Sequence, residues 1–291
     1  MTKFQIWWLA IRPKTLSISV APVLVGTALA WSEQHGVSWA PMLAALLAAM
    51  LIQAGTNLHN DAADFERGAD DGDRLGPPRV TAQGWVSATA VHRAAALCFA
   101  LAFLLGIYLV WVGGWPILVL GLASIGAGLA YTGGPQPIAY SALGELFVFL
   151  FFGLAAVLGS YYLQTFSLSV PALIAAMAIG LFAAAVLLVN NYRDLDNDRR
   201  AGKRTLAVRI GRSAARIEYG LLLLTPFALL LPLQLASGGL AWLPLLLLPW
   251  AISLLRRFVR QAPGPAFNKL LAETARLQLV YALLLGLGVV L

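Results

Sequence analysis

Nine apolar segments follow one another along the 291-residue chain, at roughly 16–32, 41–59, 94–112, 115–132, 143–163, 171–191, 219–236, 240–255 and 275–290. Each ends in charge, in Pro or Gly, or in a polar turn. At about 20 apolar residues per bilayer crossing, a chain patterned this way threads a membrane many times. In lipid such segments satisfy their backbone N–H and C=O groups as helices. The expected fold is therefore an all-α, polytopic bundle of nine transmembrane helices, a single domain over residues 1–291. Composition excludes the soluble alternative: 60% of residues are hydrophobic and 11% charged, against roughly 25% charged in an ordinary soluble domain. The one cysteine, Cys98, lies in an apolar run, which leaves no disulfide framework and no CxxC motif. The first apolar stretch lacks a small-residue cleavage site, so no cleavable signal peptide is expected.

The basic residues fix an orientation. With the N-terminus inside, the inward segments carry all twenty Lys and Arg: three in 1–15, four in 60–93, eight in 192–218 and five in 256–276. The outward loops near 33–40, 113–114, 164–170 and 237–239 carry none. Positive loops mark the cytoplasmic side, and this distribution accounts for the net charge of +7 without a nucleic-acid partner. Nothing in the chain points to an obligate protein partner.

That rule says little about acids, yet twelve of the thirteen lie on the same side, Glu33 being the exception. Two groups stand out: Asn57 to Asp64, followed by Asp70, Asp71 and Asp73, and Asn190 to Asp198. Asn57, Asp61 and Asp64 are spaced four and three apart, and Asn190, Asp194 and Asp198 four apart, so each set shares a helix face; Asp196 lies off its face. Acids at a helix C-terminus meet the negative end of the dipole and repel one another a turn apart. Cations relieve this, and Mg²⁺, which bridges carboxylates to substrate phosphates, is the natural one. Arg193, Arg199, Arg200, Lys203 and Arg204 beside the second group could hold the remaining phosphate charge. An apolar body with such a mouth suits a diphosphate whose lipid tail stays in the bilayer. Breaking an allylic C–O bond needs the departing diphosphate neutralised and the cation left behind shielded from water.

On these residues the sequence resembles the membrane-embedded aromatic prenyltransferases of the UbiA superfamily, and within it the branch acting on 1,4-dihydroxy-2-naphthoate. The resemblance runs from Arg12 to about Gly211. It rests on Arg12-Pro13-Lys14-Thr15-Leu16, Asn57 to Asp64 with Gly68-Ala69-Asp70, Asp73 to Arg79, Tyr131-Thr132-Gly133-Gly134-Pro135, Leu143-Gly144-Glu145, and Asn190 to Asp198 with Gly202 to Arg209. The superfamily's first motif usually carries a last Asp where this chain has Gly68, with Asp70 two residues on. The resemblance implies nine helices around a central cavity open to the cytoplasmic side of the cell's inner membrane. It further implies transfer of a polyprenyl group from polyprenyl diphosphate to 1,4-dihydroxy-2-naphthoate, with loss of diphosphate and CO₂, to give demethylmenaquinol. Asp61, Asp64, Asp194 and Asp198 would bind Mg²⁺, with Asp70 less secure. Asn57, Asn60, Asn190 and Asn191 would support metal and diphosphate, with Arg193 and Lys203 as diphosphate contacts.

Arg12 and Lys14 open the first span, either as interfacial anchors or as contacts to diphosphate or the naphthoate carboxylate. Tyr131 ends the fourth span, where an aromatic belt and a site role both fit. Glu145, the acid at the start of the fifth span, is a functional candidate because carboxylates inside membranes are costly. His59, off the acidic face, reads as structural. Other acceptors such as 4-hydroxybenzoate would go with a different sequence after the fourth span. A secondary transporter would hold its ionisable groups near the midplane, whereas these gather at one face.

Overall fold

The computed structural model describes residues 1–68 and 75–291, and among these every regular element is helical. Asp70, Asp71 and Asp73 lie outside the described residues. A short helix α1 (Lys3–Ile11) precedes α2 (Pro13–Gln34), α3 (Trp39–Glu66), α4 (Ala88–Gly113) and α5 (Trp115–Thr132). The next span, Gly144–Thr165, is three pieces in line: α6 (Gly144–Val148), a π-helix (Phe149–Ala155) and α7 (Ala156–Thr165). Then come α8 (Val170–Arg200), α9 (Leu206–Ala228) continued by α10 (Leu230–Ser237), α11 (Leu248–Arg260) and α12 (Phe267–Val290).

Helix boundaries follow local chemistry. The hydroxyls of Ser87, Ser169 and Thr205 accept backbone N–H groups at the starts of α4, α8 and α9, satisfying donors a helix cannot. Pro13, Pro116 and Pro171 stand in first turns, where no backbone N–H is needed. Among the described residues eight helical stretches are long and apolar enough to cross a membrane. The sequence segment 240–255 folds differently from the other eight: it is a 3₁₀ turn, Leu243–Leu247, leading into the 13-residue α11.

Helix α8 is the axis of the bundle and is buried along most of its length. Its buried face is rich in Ala and Gly, which lets neighbouring backbones approach closely. Around it α9, α12, α2 and the 144–165 span pack in turn, and α3 pairs with α4 on the far side. An aromatic cluster fills the half nearest α9 and α12: Phe182 meets Phe227 and Tyr281 edge-on, and Tyr219 stacks on Phe258 with ring centres 4.0 Å apart. By contrast α4 and α5 expose Leu97, Leu104, Leu118 and Leu122, a face suited to lipid tails and not to water. Trp31, Trp39, Trp111 and Trp115 lie exposed at one set of helix ends, where an interfacial belt belongs. The chain is a multi-pass membrane protein, and the other set of ends carries the acids of α3 and α8.

Candidate active site

The acidic ends of α3 and α8 converge on a polar cavity of about 70 Å³. Asn60 and Asp64 come from α3, Asn190, Asn191, Asp194 and Asp198 from α8, Arg12 from the α1–α2 junction, and Arg79 and Lys203 from loops. Helical repetition puts Asn60 and Asp64 one turn apart, and the same four-residue step relates Asn190, Asp194 and Asp198. The repeated pattern facing the cavity is thus Asn60-x-x-x-Asp64 against Asn190-x-x-x-Asp194-x-x-x-Asp198.

Asp61 and Asn57, expected on this face, do not line the polar cavity, though Asn57 lines the apolar one beside it. Asp61 is buried and accepts from the backbone N–H of Val80 and of Thr81, both at 3.1 Å, and from the Thr81 hydroxyl. It anchors the loop behind the cavity and, unlike Asp64, Asp194 and Asp198, does not line the cavity. Asn57 donates to the Ile11 carbonyl at 2.9 Å and ties α3 to the end of α1. That loop delivers Arg79, whose Nη2 lies 2.7 Å from Asp64 Oδ2 in a pair buried on both sides. The Tyr140 hydroxyl donates to Asp64 Oδ1 at 2.8 Å, and Lys203 Nζ stands 3.5 Å from Asp64 and 3.9 Å from Asp198. Burial first, then the charge and hydrogen bond of Asp64, pushes the Tyr140 phenol above its usual range, so it is a fixed donor at neutral pH. The Arg204 N–H donates to the Tyr140 carbonyl and the Lys203 N–H to that of Asp198. Gly202, with φ of 75°, makes the left-handed turn this requires.

On the opposite wall Arg193 grips Asp194 with two donors, Nε at 2.8 Å and Nη2 at 2.5 Å. It also donates to Asn190 Oδ1 at 2.8 Å and Asn268 Oδ1 at 2.6 Å, and it is fully buried. Expected at the diphosphate, Arg193 is instead a brace that orients Asp194 and Asn190 and docks α12. Asn268 in turn donates to the Leu75 carbonyl at 3.0 Å. Asp196 leaves the face and pairs with Arg212 at 2.7 Å. Asn191 donates to Glu145 Oε1 at 2.8 Å, and Glu145 Oε2, buried, has no partner among the described residues. Lys14 is exposed and apart from the cavity. Arg12 takes a left-handed conformation, φ 54° and ψ 66°, rare for a residue with a side chain. Its backbone ends α1 and begins α2 while its side chain reaches the cavity.

A second, apolar cavity of about 440 Å³ lies deeper, between α2, α3, α4, α5 and the 144–165 span. Arg12, Asn60, Tyr131, Leu187 and Asn190 line both cavities, so the two meet there. Sequence reasoning missed Arg79, Thr81, Tyr140 and Asn268, each of which reaches its partner from a distant loop or helix. For Asn268 the sequence carries no local signal; Arg79 closes the Asp73 to Arg79 stretch on which the resemblance partly rests, and Tyr140 sits close after the Gly-Gly-Pro turn.

The donor set fits a hard divalent cation. Asn60 Oδ1 is buried with no hydrogen-bond partner among the described residues, and it shares the cavity with the carboxylates of Asp64, Asp194 and Asp198. Among the described residues no three acidic, His or Cys side chains are close enough to hold one ion together. Two facing walls of one carboxylate or two suit Mg²⁺, which takes its remaining ligands from phosphates and water.

Comparison with known proteins gives the same picture. The family model described as "UbiA prenyltransferase family" matches residues 19–280. The chain is 38% identical to the 1,4-dihydroxy-2-naphthoate octaprenyltransferase of Escherichia coli K12, covering 99% of this chain and 96% of that one. It is 30% identical to the enzyme so named from Bacillus subtilis 168, covering 98% and 92%. A structure of a UbiA homologue from Archaeoglobus fulgidus bound to DMAPP and Mg²⁺ superposes with a TM-score of 0.71 at 15% identity, covering 98% of this chain and 99% of that one. Paired acidic helix ends, a buried oxygen-donor set and an adjoining apolar cavity agree with these matches: the chain belongs to the UbiA prenyltransferase family.

Proposed function

We propose that this protein transfers a polyprenyl group from polyprenyl diphosphate to 1,4-dihydroxy-2-naphthoate in the membrane, releasing diphosphate and CO₂ and giving demethylmenaquinol for menaquinone synthesis. One observation carries the chemistry: a small charged cavity and a large apolar one share a boundary at Arg12, Asn60, Tyr131, Leu187 and Asn190. A prenyl diphosphate is charged at one end and apolar beyond, so its reacting carbon belongs at that boundary. The acceptor follows from the relatives that act on dihydroxynaphthoate.

Asp64 with Asn60 Oδ1 on one wall, and Asp194 with Asp198 on the other, would offer oxygens to Mg²⁺. When bound, Mg²⁺ neutralises the charge that develops on the departing diphosphate. Lys203, Arg79 and Arg12 bind the diphosphate oxygens, and Tyr140 keeps Asp64 oriented by donating to it. Arg193 holds Asp194 and Asn190 in place on the other wall. Asp61 is a positioning residue that holds the 79–81 segment and so the guanidinium of Arg79. The apolar cavity takes the tail and keeps water from the allylic carbon as its C–O bond breaks. The ring of the acceptor, already activated by two hydroxyls, then forms the C–C bond at the carbon that bears the carboxylate, which leaves as CO₂. The protein's part is largely to orient the two partners.

The same reading puts the N-terminus and the charged mouth on the cytoplasmic side of the inner membrane, as the loop charges suggest. The 3₁₀ turn and α11 complete a ninth crossing: five residues at about 2 Å and thirteen at about 1.5 Å reach roughly 30 Å. The test is prenyl transfer by the purified protein in lipid with Mg²⁺ and a polyprenyl diphosphate, comparing 1,4-dihydroxy-2-naphthoate with 4-hydroxybenzoate. Product from the naphthoate is expected; product from 4-hydroxybenzoate alone overturns the acceptor.

A further inference from the structure

The π-helix at Phe149–Ala155 interrupts the fifth span next to the cavity. A π-turn adds a residue, widens the helix and rotates everything after it, so it persists only where packing supports it. Here the support is a backbone contact. A Cβ on Gly153 would lie 2.5 Å from the Gly180 Cα of α8 and 2.7 Å from the Ala176 carbonyl oxygen. Only two glycines let the widened turn sit against the axis of the bundle.

The span presents Phe147, Phe151 and Phe152 to the apolar cavity. The rings of Phe147 and Phe151 lie nearly parallel, with centroids 5.9 Å apart and planes 25° apart. The wall contributed by α3 is different in kind: aliphatic and mostly small at Ala45, Ala48, Ala49 and Ile52, then polar at Gln53, Thr56, Asn57 and Asn60 towards the charged cavity. A prenyl tail needs apolar surface of any shape, whereas a flat aromatic ring gains specifically from aromatic faces. The aromatic wall is also beside the boundary of the two cavities. Gly144, one turn before Phe147, packs on Leu187, where a Cβ would stand 3.3 Å from Leu187 Cδ2, and Leu187 lines both cavities.

We propose that Phe147 and Phe151, presented by the π-helical span, form the platform on which the acceptor's bicyclic ring stacks, while the prenyl tail runs along the aliphatic wall of α3. The inference rests on the aromatic-acceptor reading above and adds to it the residues that select and orient the ring.

The experiment is steady-state kinetics on the full-length Phe147→Leu and Phe151→Leu proteins, with geranylgeranyl diphosphate and 1,4-dihydroxy-2-naphthoate varied in turn. Each variant is expected to raise the KM for the naphthoate roughly tenfold and to leave that for the diphosphate within about twofold. Phe151→Tyr, which keeps the ring face, is expected to restore the naphthoate KM. Both constants come from one preparation, so a smaller folded fraction lowers the rate without moving their ratio. A KM for the diphosphate that rises as much as that for the acceptor, or more, assigns the rings to the tail and overturns the proposal. If the wild-type protein prenylates only another aromatic acid, the functional reading falls, and the same comparison with that acid decides the platform.

Discussion

Asp61 is the residue on which spacing and structure disagree most, and its replacement separates two roles. In the fold it serves three buried donors from residues 80 and 81, and Val80 and Thr81 are themselves almost fully buried. Asp61→Asn keeps one acceptor oxygen and puts an NH₂ group where the other stood, facing a donor. A hydrogen bond to a charged group contributes about 1.5–3 kcal/mol, and a buried donor left unpaired costs about 1–3 kcal/mol. The 79–81 segment therefore loses about 2.5–6 kcal/mol of its anchoring, enough to displace Arg79 from Asp64 in a large share of molecules. In detergent-solubilised protein we expect kcat/KM to fall by at least about tenfold. The Mg²⁺ concentration for half-maximal activity should stay within about twofold of the wild type, because no metal ligand has been removed. Asp64→Asn, measured alongside, should raise that concentration markedly. Hydrogen exchange at residues 79–86 should quicken in Asp61→Asn only. If Asp61→Asn raises the Mg²⁺ requirement as much as Asp64→Asn does, Asp61 is a metal ligand and the anchoring role is wrong.

Two further outcomes follow from single contacts. Tyr140→Phe removes one charge-assisted hydrogen bond to Asp64, which should lower kcat/KM by about 10- to 100-fold in the same assay. Because the folded state raises the phenol's pKa above its ordinary value of 10.0, the folded protein holds that proton more tightly than the unfolded chain. The bond's stabilisation is thus complete at neutral pH and is lost as pH climbs past about 10, so thermal melts from pH 7 to 9 should show no loss traceable to Tyr140. Gly153→Ala places a methyl group 2.5 Å from the Gly180 Cα. Such overpacking costs about 1–3 kcal/mol, and a thermal melt in detergent should show the loss, whereas an unchanged melting temperature would mean the π-helix is not held by that contact.

Much of this architecture was legible from the order of residues. The apolar segments locate the membrane helices because lipid demands long runs of them, and the acids of α8 fall on one face because a regular helix repeats every 3.6 residues. On α3 the same repetition allows two faces that both include Asp64, one with Asn57 and Asp61 and one with Asn60. Tertiary structure chooses between them: the 75–86 loop turns back and claims Asp61, leaving Asn60 to the cavity. The braces were illegible for a related reason, since Tyr140 meets Asp64 across 76 residues and Asn268 meets Arg193 across 75. The π-helix has no local signature beyond Gly153, whose partner Gly180 is on another helix. The segment 240–255 reads as a plain span, but Pro244 and Pro249 restrict the backbone there, and it begins as a 3₁₀ turn.

The most direct test of the central claim follows the carboxylate of the acceptor. Purified protein in lipid nanodiscs, supplied with polyprenyl diphosphate and 1,4-dihydroxy-2-naphthoate labelled at the carboxyl carbon, should release labelled CO₂ in step with prenylated naphthoquinol and only when Mg²⁺ is present. Prenylated product that retains the label, or transfer that proceeds undiminished after chelation of divalent cations, would contradict the account.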